Sequence, residues 1–154
     1  MKISIIAVGR LGRTGEAAIA QTYAERATAA GRTLGLGPVE IIEVEARKPG
    51  KPAQAAVLAA QIGDAHLIAC DEHGAALASR DFASRIAALR DHGVRRLAFV
   101  IGGADGLDPA LVRGARERLA FGPQTWPHAL ARVMLAEQVY RAVTILAGSP
   151  YHRE

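Results

Sequence analysis

The chain has 154 residues, the length of one domain, and its 50% hydrophobic and 22% charged composition excludes an intrinsically disordered protein. No apolar run is long enough to cross a bilayer, and the short run at the start lacks the cleavage site of a signal peptide. The net charge of +4, carried mostly by arginine, is compatible with a phosphate-bearing partner, and the single cysteine excludes a disulfide framework. We therefore expect one cytoplasmic domain over residues 1–154.

Strand and helix patterns alternate through the first half of the chain. Residues 3–8 and 66–70 are typical of buried strands, and residues 39–44 alternate apolar and acidic side chains, as a strand with one wetter face does. Between these strands the patterns predict helices over residues 15–31 and 52–62, the second of which starts at a proline.

The same alternation continues through the second half. Ser79 is a suitable N-cap for one helix, and Asp108 followed by Pro109 is typical of the start of another. Strands alternating with longer helical patterns predict an α/β fold with a mostly parallel sheet and helices on both faces. The elements predicted here are a helix over residues 80–93, a strand over 96–101, a helix over 109–120 and a last helix over about 128–147.

Ligands of open parallel sheets bind beyond the carboxyl ends of the strands, so the loops that follow the strands are candidate sites. The first loop, "GRLGRTG", places Gly9, Gly12 and Gly15 one residue out of step with the dinucleotide-binding fingerprint. Glu43 or Glu45, in and after the second strand, would then be candidate ribose ligands. The pattern leaves two interpretations open, a nucleotide site and an ordinary glycine-containing turn.

Two later loops are rich in glycine or in proline. "GGADG" begins with Gly102 and Gly103, which allow close backbone approach to a ligand, but it lacks the lysine of a triphosphate-binding loop. "FGPQTWP" contains two prolines and the only tryptophan, Trp126, which would cover a base or pack on the last helix. The five histidines lack the spacing of metal ligands, so no metal is predicted, and Cys70 inside an apolar strand is typical of a small core residue.

The last predicted helix and the residues after it raise a separate question. The helix is apolar on most of its circumference, which predicts a second buried side and hence a homodimer. Tyr151, His152, Arg153 and Glu154 follow it, at positions that are ordered only when they are held by other parts of a structure.

Several stretches resemble the RlmH family of SPOUT-class methyltransferases. They are "MKISIIAVG", "DEHGAALASRDFA", "FVIGGADGL", "TWPHALARVMLAEQVYRA" and "GSPYHRE", so the resemblance covers the whole chain. It implies an α/β fold with a carboxyl-terminal trefoil knot, a homodimer, and S-adenosylmethionine as cofactor. The implied reaction is methylation of N3 of a pseudouridine in helix 69 of the 23S ribosomal RNA, on the assembled ribosome rather than on naked RNA.

The resemblance also implies which residues form the site. At three places the chain departs from common family residues: Cys70 replaces a leucine, Ala75 a lysine, and Gly122 with Pro123 a serine-containing loop. If these positions meet the cofactor through backbone atoms, such changes are tolerated. The implied cofactor-binding residues are Cys70, Gly102, Gly103, Gly122, Pro123, Gln124, Thr125, Trp126 and Pro127.

The tail residues receive roles from their chemistry together with the resemblance. His152 is the candidate general base, because histidine titrates closest to neutral pH. Arg153 is a candidate to hold a phosphate or the developing oxyanion of the base, and Tyr151 to stack on the target base. Arg132 is a candidate substrate-binding residue that orients the cofactor carboxylate or the tail.

Three alternatives stay open. The chain could be a nucleotide-dependent enzyme that uses "GRLGRTG", or an RNA- or ribosome-binding module without donor binding. Within the methyltransferase interpretation, the tail could serve only to dock the terminus on the partner subunit.

Overall fold

The computed structural model describes residues 1–153 as a five-stranded sheet, all of whose paired strands are parallel, with helices on both faces. Glu154 lies outside the described residues. The strands, in the order β2-β1-β4-β3-β5 across the sheet, are β1 Lys2–Val8, β2 Val39–Val44, β3 His66–Ala76, β4 Arg96–Ile101 and β5 Glu117–Ala120. The helices are α1 Gly15–Gly31, α2 Lys51–Ile62, α3 Ser79–Asp91, α4 Pro109–Gly114 and α5 His128–Leu146, and a short 3-10 helix covers Arg32–Leu34.

The core has two layers because successive side chains of a strand point to opposite faces of the sheet. Ile3 and Ile5 of β1 pack with α1, α3 and α5, whereas Ile6 and Val8 pack with α2 and α4. The predicted α/β fold with helices on both faces is confirmed. No helix within residues 1–153 is long and apolar enough to span a bilayer.

The structure corrects the prediction for residues 109–120. The helix predicted there ends at Gly114, and Glu117–Ala120 forms the edge strand β5. The strand predicted to end at residue 70 also continues, after an irregularity, to Ala76. The end of β3 and the strand β5 pair with each other, Ala75 with Leu119 and Ala76 with Ala120. Long-range pairing of this kind overrides local helix propensity.

Gly74 permits that pairing. A Cβ at this position would lie 2.6 Å from the backbone of Leu119, closer than real Cβ contacts allow. The two chain segments therefore approach each other at a point where only glycine fits.

Glu117 anchors the outer strand to its neighbours. Its carboxylate accepts two hydrogen bonds of 2.8 Å from the Nε and Nη2 of Arg85 in α3, and its Oε1 lies 2.6 Å from Nε2 of His66 in β3. The hydrogen bonds from Arg85, and next the bond to His66, hold the pKa of Glu117 below its usual value of 4.5 against the effect of burial.

The lowered pKa predicts how the Glu117→Gln substitution depends on pH. A carboxylate with a lowered pKa stabilises the folded state above its ordinary pKa, and this stabilisation disappears as the pH falls through the folded value. We expect Glu117→Gln to be most destabilising at neutral pH and progressively less so below pH 4.5. Urea unfolding of both proteins across this range measures the difference, and a difference independent of pH would contradict the prediction.

Candidate active site

Three loops meet at one edge of the sheet. Because β4, β3 and β5 are adjacent and parallel, the segments after their carboxyl ends lie side by side. The segments are residues 102–107 after β4, residues 77–78 after β3, and residues 121–127 after β5. The sequence-predicted cofactor residues belong to these segments, apart from Cys70, which lies within β3.

The paired glycines after β4 form a tight turn. A Cβ on Gly102 would lie 2.5 Å from the carbonyl carbon of Gly106, so this position tolerates no side chain. The N–H of Gly106 donates to the carbonyl oxygen of Gly103 at 3.0 Å, which closes the turn. At Gly102 the main-chain atoms of the turn therefore meet their neighbours directly, because no side chain covers them.

The loop over residues 121–127 is held by its tryptophan. The indole N–H of Trp126 donates to the carbonyl of Phe121 at 3.1 Å, while 41% of the residue stays exposed. The main-chain N–H groups of Gln124, Thr125 and Trp126 make no hydrogen bond within residues 1–153. The loop therefore offers a row of backbone donors to a ligand that carries acceptors.

Cys70 is a protonated thiol in this site. It keeps some exposed surface, but burial of its sulfur raises the pKa of the thiol to about 12. A thiol in this state is a poor nucleophile, so Cys70 serves as a packing residue beside the loops. This agrees with the interpretation of the sequence as a small core residue.

The raised pKa predicts slow alkylation of Cys70. Because the thiolate is the reactive form, iodoacetamide at pH 8 should label the folded protein much more slowly than the protein unfolded in guanidinium. The chain has a single cysteine, so labelling followed by mass spectrometry reports this site alone. Equal rates in the folded and unfolded states would contradict the buried thiol.

The tail folds back onto α5 of its own chain. The hydroxyl of Tyr151 donates to Oε1 of Glu137 at 3.0 Å, and Arg141 donates to the same oxygen from Nη2 at 2.6 Å and from Nε at 3.0 Å. The ring of Tyr151 also contacts Tyr140, with centroids 4.7 Å apart, and lies 4.9 Å from the guanidinium carbon of Arg141. Burial, and next the neighbouring Tyr23 hydroxyl and the Glu137 carboxylate, raise the pKa of Tyr151.

His152 is placed by Arg141. The Nη1 of Arg141 lies 3.3 Å from Nδ1 of His152 and donates to it, so the neutral ring carries its proton on Nε2. The lone pair on Nδ1, which a general base needs, is thus engaged in this arrangement. Arg153 is exposed.

A cavity of about 520 Å³ lies between α1, α3, α5 and the segments after β3 and β5. Glu137, which holds Tyr151, lines this cavity together with Phe121 and Gly122 of the loop after β5 and Leu77 after β3. Ser79 and Gln138 form a further polar wall, where the hydroxyl donates to the side-chain carbonyl at 2.8 Å. Gly122 therefore lines the same cavity as Glu137, whose carboxylate binds Tyr151 of the tail.

Arg132 is fully buried, and its guanidinium is held by β1 and β2 rather than by the tail that it was predicted to orient. Its Nη1 donates to Oε1 of Glu43 at 2.8 Å, and its Nη2 donates to the carbonyls of Val8 and Gly9 at 2.6 and 2.9 Å. Burial lowers the pKa of the guanidinium, against the opposing effect of Glu43. Arg132 therefore clamps the start of α5 to the ends of β1 and β2.

The Nε of Arg132 has no hydrogen-bond partner within the described residues. An unsatisfied buried donor costs on the order of 1–3 kcal/mol.

The two candidate ribose ligands in and after β2 already have partners. Glu43 accepts from Arg132 and from the N–H of Leu11, and Glu45 pairs with Arg10 at 3.4 Å.

Two residues that hold the tail were missed from the sequence, Glu137 and Arg141. They lie four residues apart on α5, within the "EQVYRA" stretch, and the spacing that allows a helical ion pair was visible. Their contact with the tail depends on the chain turning back after α5.

Among residues 1–153, no group of three or more His, Cys, Asp or Glu could hold a metal ion.

Comparison with known proteins identifies the family. A family model described as predicted SPOUT methyltransferase matches residues 1–152. Proteins named ribosomal RNA large subunit methyltransferase H from Phenylobacterium zucineum and Caulobacter sp. (strain K31) are 70% and 67% identical to this chain, over 100% of both sequences. The chain belongs to the RlmH family of SPOUT methyltransferases. The resemblance found in the sequence is confirmed.

Solved structures support the RlmH-family fold at low identity. A probable methyltransferase from Bordetella pertussis Tohama I matches with a TM-score of 0.54 and 18% identity, covering 92% of this chain and 96% of that one. A probable methylase family protein from Haemophilus influenzae Rd KW20 matches with a TM-score of 0.56 and 15% identity, covering 99% of this chain and 70% of that one. The architecture is shared although the sequences have diverged.

Proposed function

We propose that this chain transfers a methyl group from S-adenosylmethionine to N3 of a pseudouridine in helix 69 of 23S ribosomal RNA, on the assembled ribosome in the cytoplasm. Relatives at 70% and 67% identity carry the name of a large-subunit ribosomal RNA methyltransferase. The proposal includes the specific target, N3 of a pseudouridine in helix 69. It also includes a homodimer and a trefoil knot.

One observation carries the proposal. Glu137 fixes the tail through Tyr151 and Arg141, and it lines the cavity that Gly122 of the loop after β5 also lines. Glu137 thus relates the tail to the cavity wall formed by Gly122, and the same loop after β5 carries the free backbone donors of residues 124–126. A methyl transfer site needs both parts, because donor and acceptor must be held in line.

The loops fit the cofactor. S-adenosylmethionine supplies a methyl group on a positively charged sulfur, together with ring nitrogens, ribose oxygens and a carboxylate. The free N–H groups of Gln124, Thr125 and Trp126 suit such acceptors, and the exposed ring of Trp126 suits a flat adenine. Gly102 and Gly103 allow backbone contact from the opposite turn, and Gly122, Pro123, Pro127 and Cys70 complete the proposed set.

The tail residues perform the proton transfer in this proposal. N3 of the pseudouridine must lose its proton as the new nitrogen–carbon bond forms and the sulfur–carbon bond breaks. His152 accepts that proton once Nδ1 is released from Arg141, and the exposed Arg153 holds a backbone phosphate or the base oxygen. Tyr151 must leave its contacts with Tyr140 and Arg141 if it is to stack on the target base.

A homodimer is supported by exposed apolar side chains. Ile19 of α1, Leu77 after β3 and Leu130 of α5 are 49%, 42% and 40% exposed. Ile19 and Leu77 line the cavity beside the tail, together with Val133 and Met134 of α5. A partner subunit seated on this surface would cover them and give α5 its second buried side.

The test is transfer of labelled methyl groups to ribosomes that lack the modification. Label in helix 69, mapped to the pseudouridine by nuclease digestion and mass spectrometry, is the expected result. Label elsewhere in the large-subunit RNA would support methyltransferase activity but contradict the proposed target in helix 69. No label from a folded protein would overturn the proposal.

A second candidate is a ribosome-binding module without donor binding. It is favoured by the docked state of the tail, in which the lone pair of His152 and the ring of Tyr151 are engaged within the chain. S-adenosylmethionine should raise the Tm if the chain binds it, because a ligand that binds only the folded state stabilises that state. An unchanged Tm at saturating cofactor would favour the binding module.

A further inference from the structure

A second cavity, of about 590 Å³, lies at the carboxyl ends of β1 and β2 beside the first turns of α1. We call it the α1 cavity. Its size is that of a site for a nucleotide-sized ligand. Its walls include Gly12, Arg13 and Thr14 of the loop after β1, Gln21 of α1, Glu43 of β2 and Arg132 of α5.

The start of α1 supplies free donors to this cavity. Thr14 caps the helix by accepting from the N–H of Ala17 at 3.3 Å, and its carbonyl accepts from Ala18 at 3.2 Å. The N–H groups of Gly15 and Glu16 have no partner within residues 1–153. Free N–H groups and the helix dipole together favour an anion at this end.

Arg132 supplies an independent indication of a ligand. It lines the cavity, it is fully buried, and its Nε–H is left without a partner although both of its terminal nitrogens are bonded. The carboxylate of Glu43 on the same wall would oppose an anion. That carboxylate is already bound by Arg132 at 2.8 Å and by the N–H of Leu11 at 3.0 Å, so its charge is compensated.

Arg13 is the cation available at the mouth of the cavity. It is exposed and forms no ion pair with any residue of the described chain. Arg10, three positions earlier in the same loop, instead pairs with Glu45 at 3.4 Å. A guanidinium without a carboxylate partner binds a phosphate in a two-pronged geometry.

We propose that the α1 cavity binds the phosphate of a nucleotide, and that this phosphate belongs to the backbone of the RNA substrate. Arg13 and the first turn of α1 bind the phosphate, and the Nε–H of Arg132 is the buried donor that the bound nucleotide satisfies. The inference rests on the proposed function because it takes RNA as the partner. It adds an anchoring site separate from the loops that are proposed to hold the cofactor.

The test compares Arg13→Ala with Arg10→Ala, a matched control from the same loop. Binding of each fluorescently labelled variant to ribosomes that lack the modification is measured by anisotropy at several salt concentrations. We expect Arg13→Ala to raise Kd about tenfold and Arg10→Ala to change it by less than about twofold. The slope of log Kd against log salt should fall by about 1 for Arg13→Ala only.

Two further measurements separate the sources of the phosphate and the two proposals. If adenosine monophosphate raises the Tm of the wild type but not of Arg13→Ala, and RNA affinity is the same in both, the site binds free nucleotides and the assignment to RNA is overturned. Equal RNA affinity and equal response to the nucleotide in both variants would overturn the site itself. The Tm shift with S-adenosylmethionine should be unchanged in Arg13→Ala, so failure of the proposed function would be recognised separately.

Discussion

Replacing Arg132 by methionine should lower the free energy of unfolding by about 3 kcal/mol or more. Methionine keeps most of the apolar stem but removes every hydrogen bond of the guanidinium. The carbonyls of Val8 and Gly9 then lose their donor, and Glu43 loses its cation in a part-buried position. The loss exceeds that of a surface ion pair because the guanidinium is fully buried and makes three hydrogen bonds that methionine cannot make.

The control is Arg96→Met, which breaks an ion pair with the highly exposed Asp64. This variant should change the free energy of unfolding by no more than about 0.5 kcal/mol. Guanidinium denaturation of both variants gives the comparison. If Arg132→Met cost as little as Arg96→Met, the clamp between α5 and the first two strands would have no role in stability.

The second large effect is expected on catalysis. His152→Ala should reduce the rate of methyl transfer at saturating substrates by about 100-fold or more, because it removes the proposed base. The Tm shift with S-adenosylmethionine should persist, since His152 lies outside the three loops. Single-turnover transfer to unmodified ribosomes is the measurement, because it isolates the chemical step from product release.

His152→Asn separates catalysis from docking. The asparagine oxygen can accept from Arg141 in place of Nδ1, so the tail can still dock, but the side chain does not titrate. Equal loss of activity in the alanine and asparagine variants supports the base. Recovery of activity in His152→Asn alone would assign His152 to docking the tail.

Tyr151→Phe removes the hydrogen bond to Glu137. We expect it to lower the rate of methyl transfer by less than about tenfold, measured in the same single-turnover assay.

The strands buried on both faces were predictable because their signal is local. Residues 3–8 and 96–101 form nearly continuous apolar runs, and the structure places them in two adjacent interior strands of the sheet. The short strand β5 was not predictable, because "ERLA" continues a helical pattern and becomes a strand only through pairing with Ala75 and Ala76. An edge strand of this length carries little signal of its own.

The candidate site divides in the same way. The loops were predictable from their position after strands and from their glycines and prolines. The burial of Arg132 was not, since its partner Glu43 lies 89 residues away and nothing local to α5 indicates the contact. Glu137 was hidden for a related reason. Its role requires Tyr151, 14 residues later, to return onto the same helix.

The clamp made by Arg132 also sets an order of events during synthesis. It joins α5 to the carbonyl of Val8, 124 residues earlier in the chain. Strand β1 can pair with β2 and β4 before α5 exists, but its carboxyl end acquires this donor only when residue 132 has left the ribosome. We therefore expect the first loop, and the α1 cavity beside it, to be among the last parts of the molecule to become rigid.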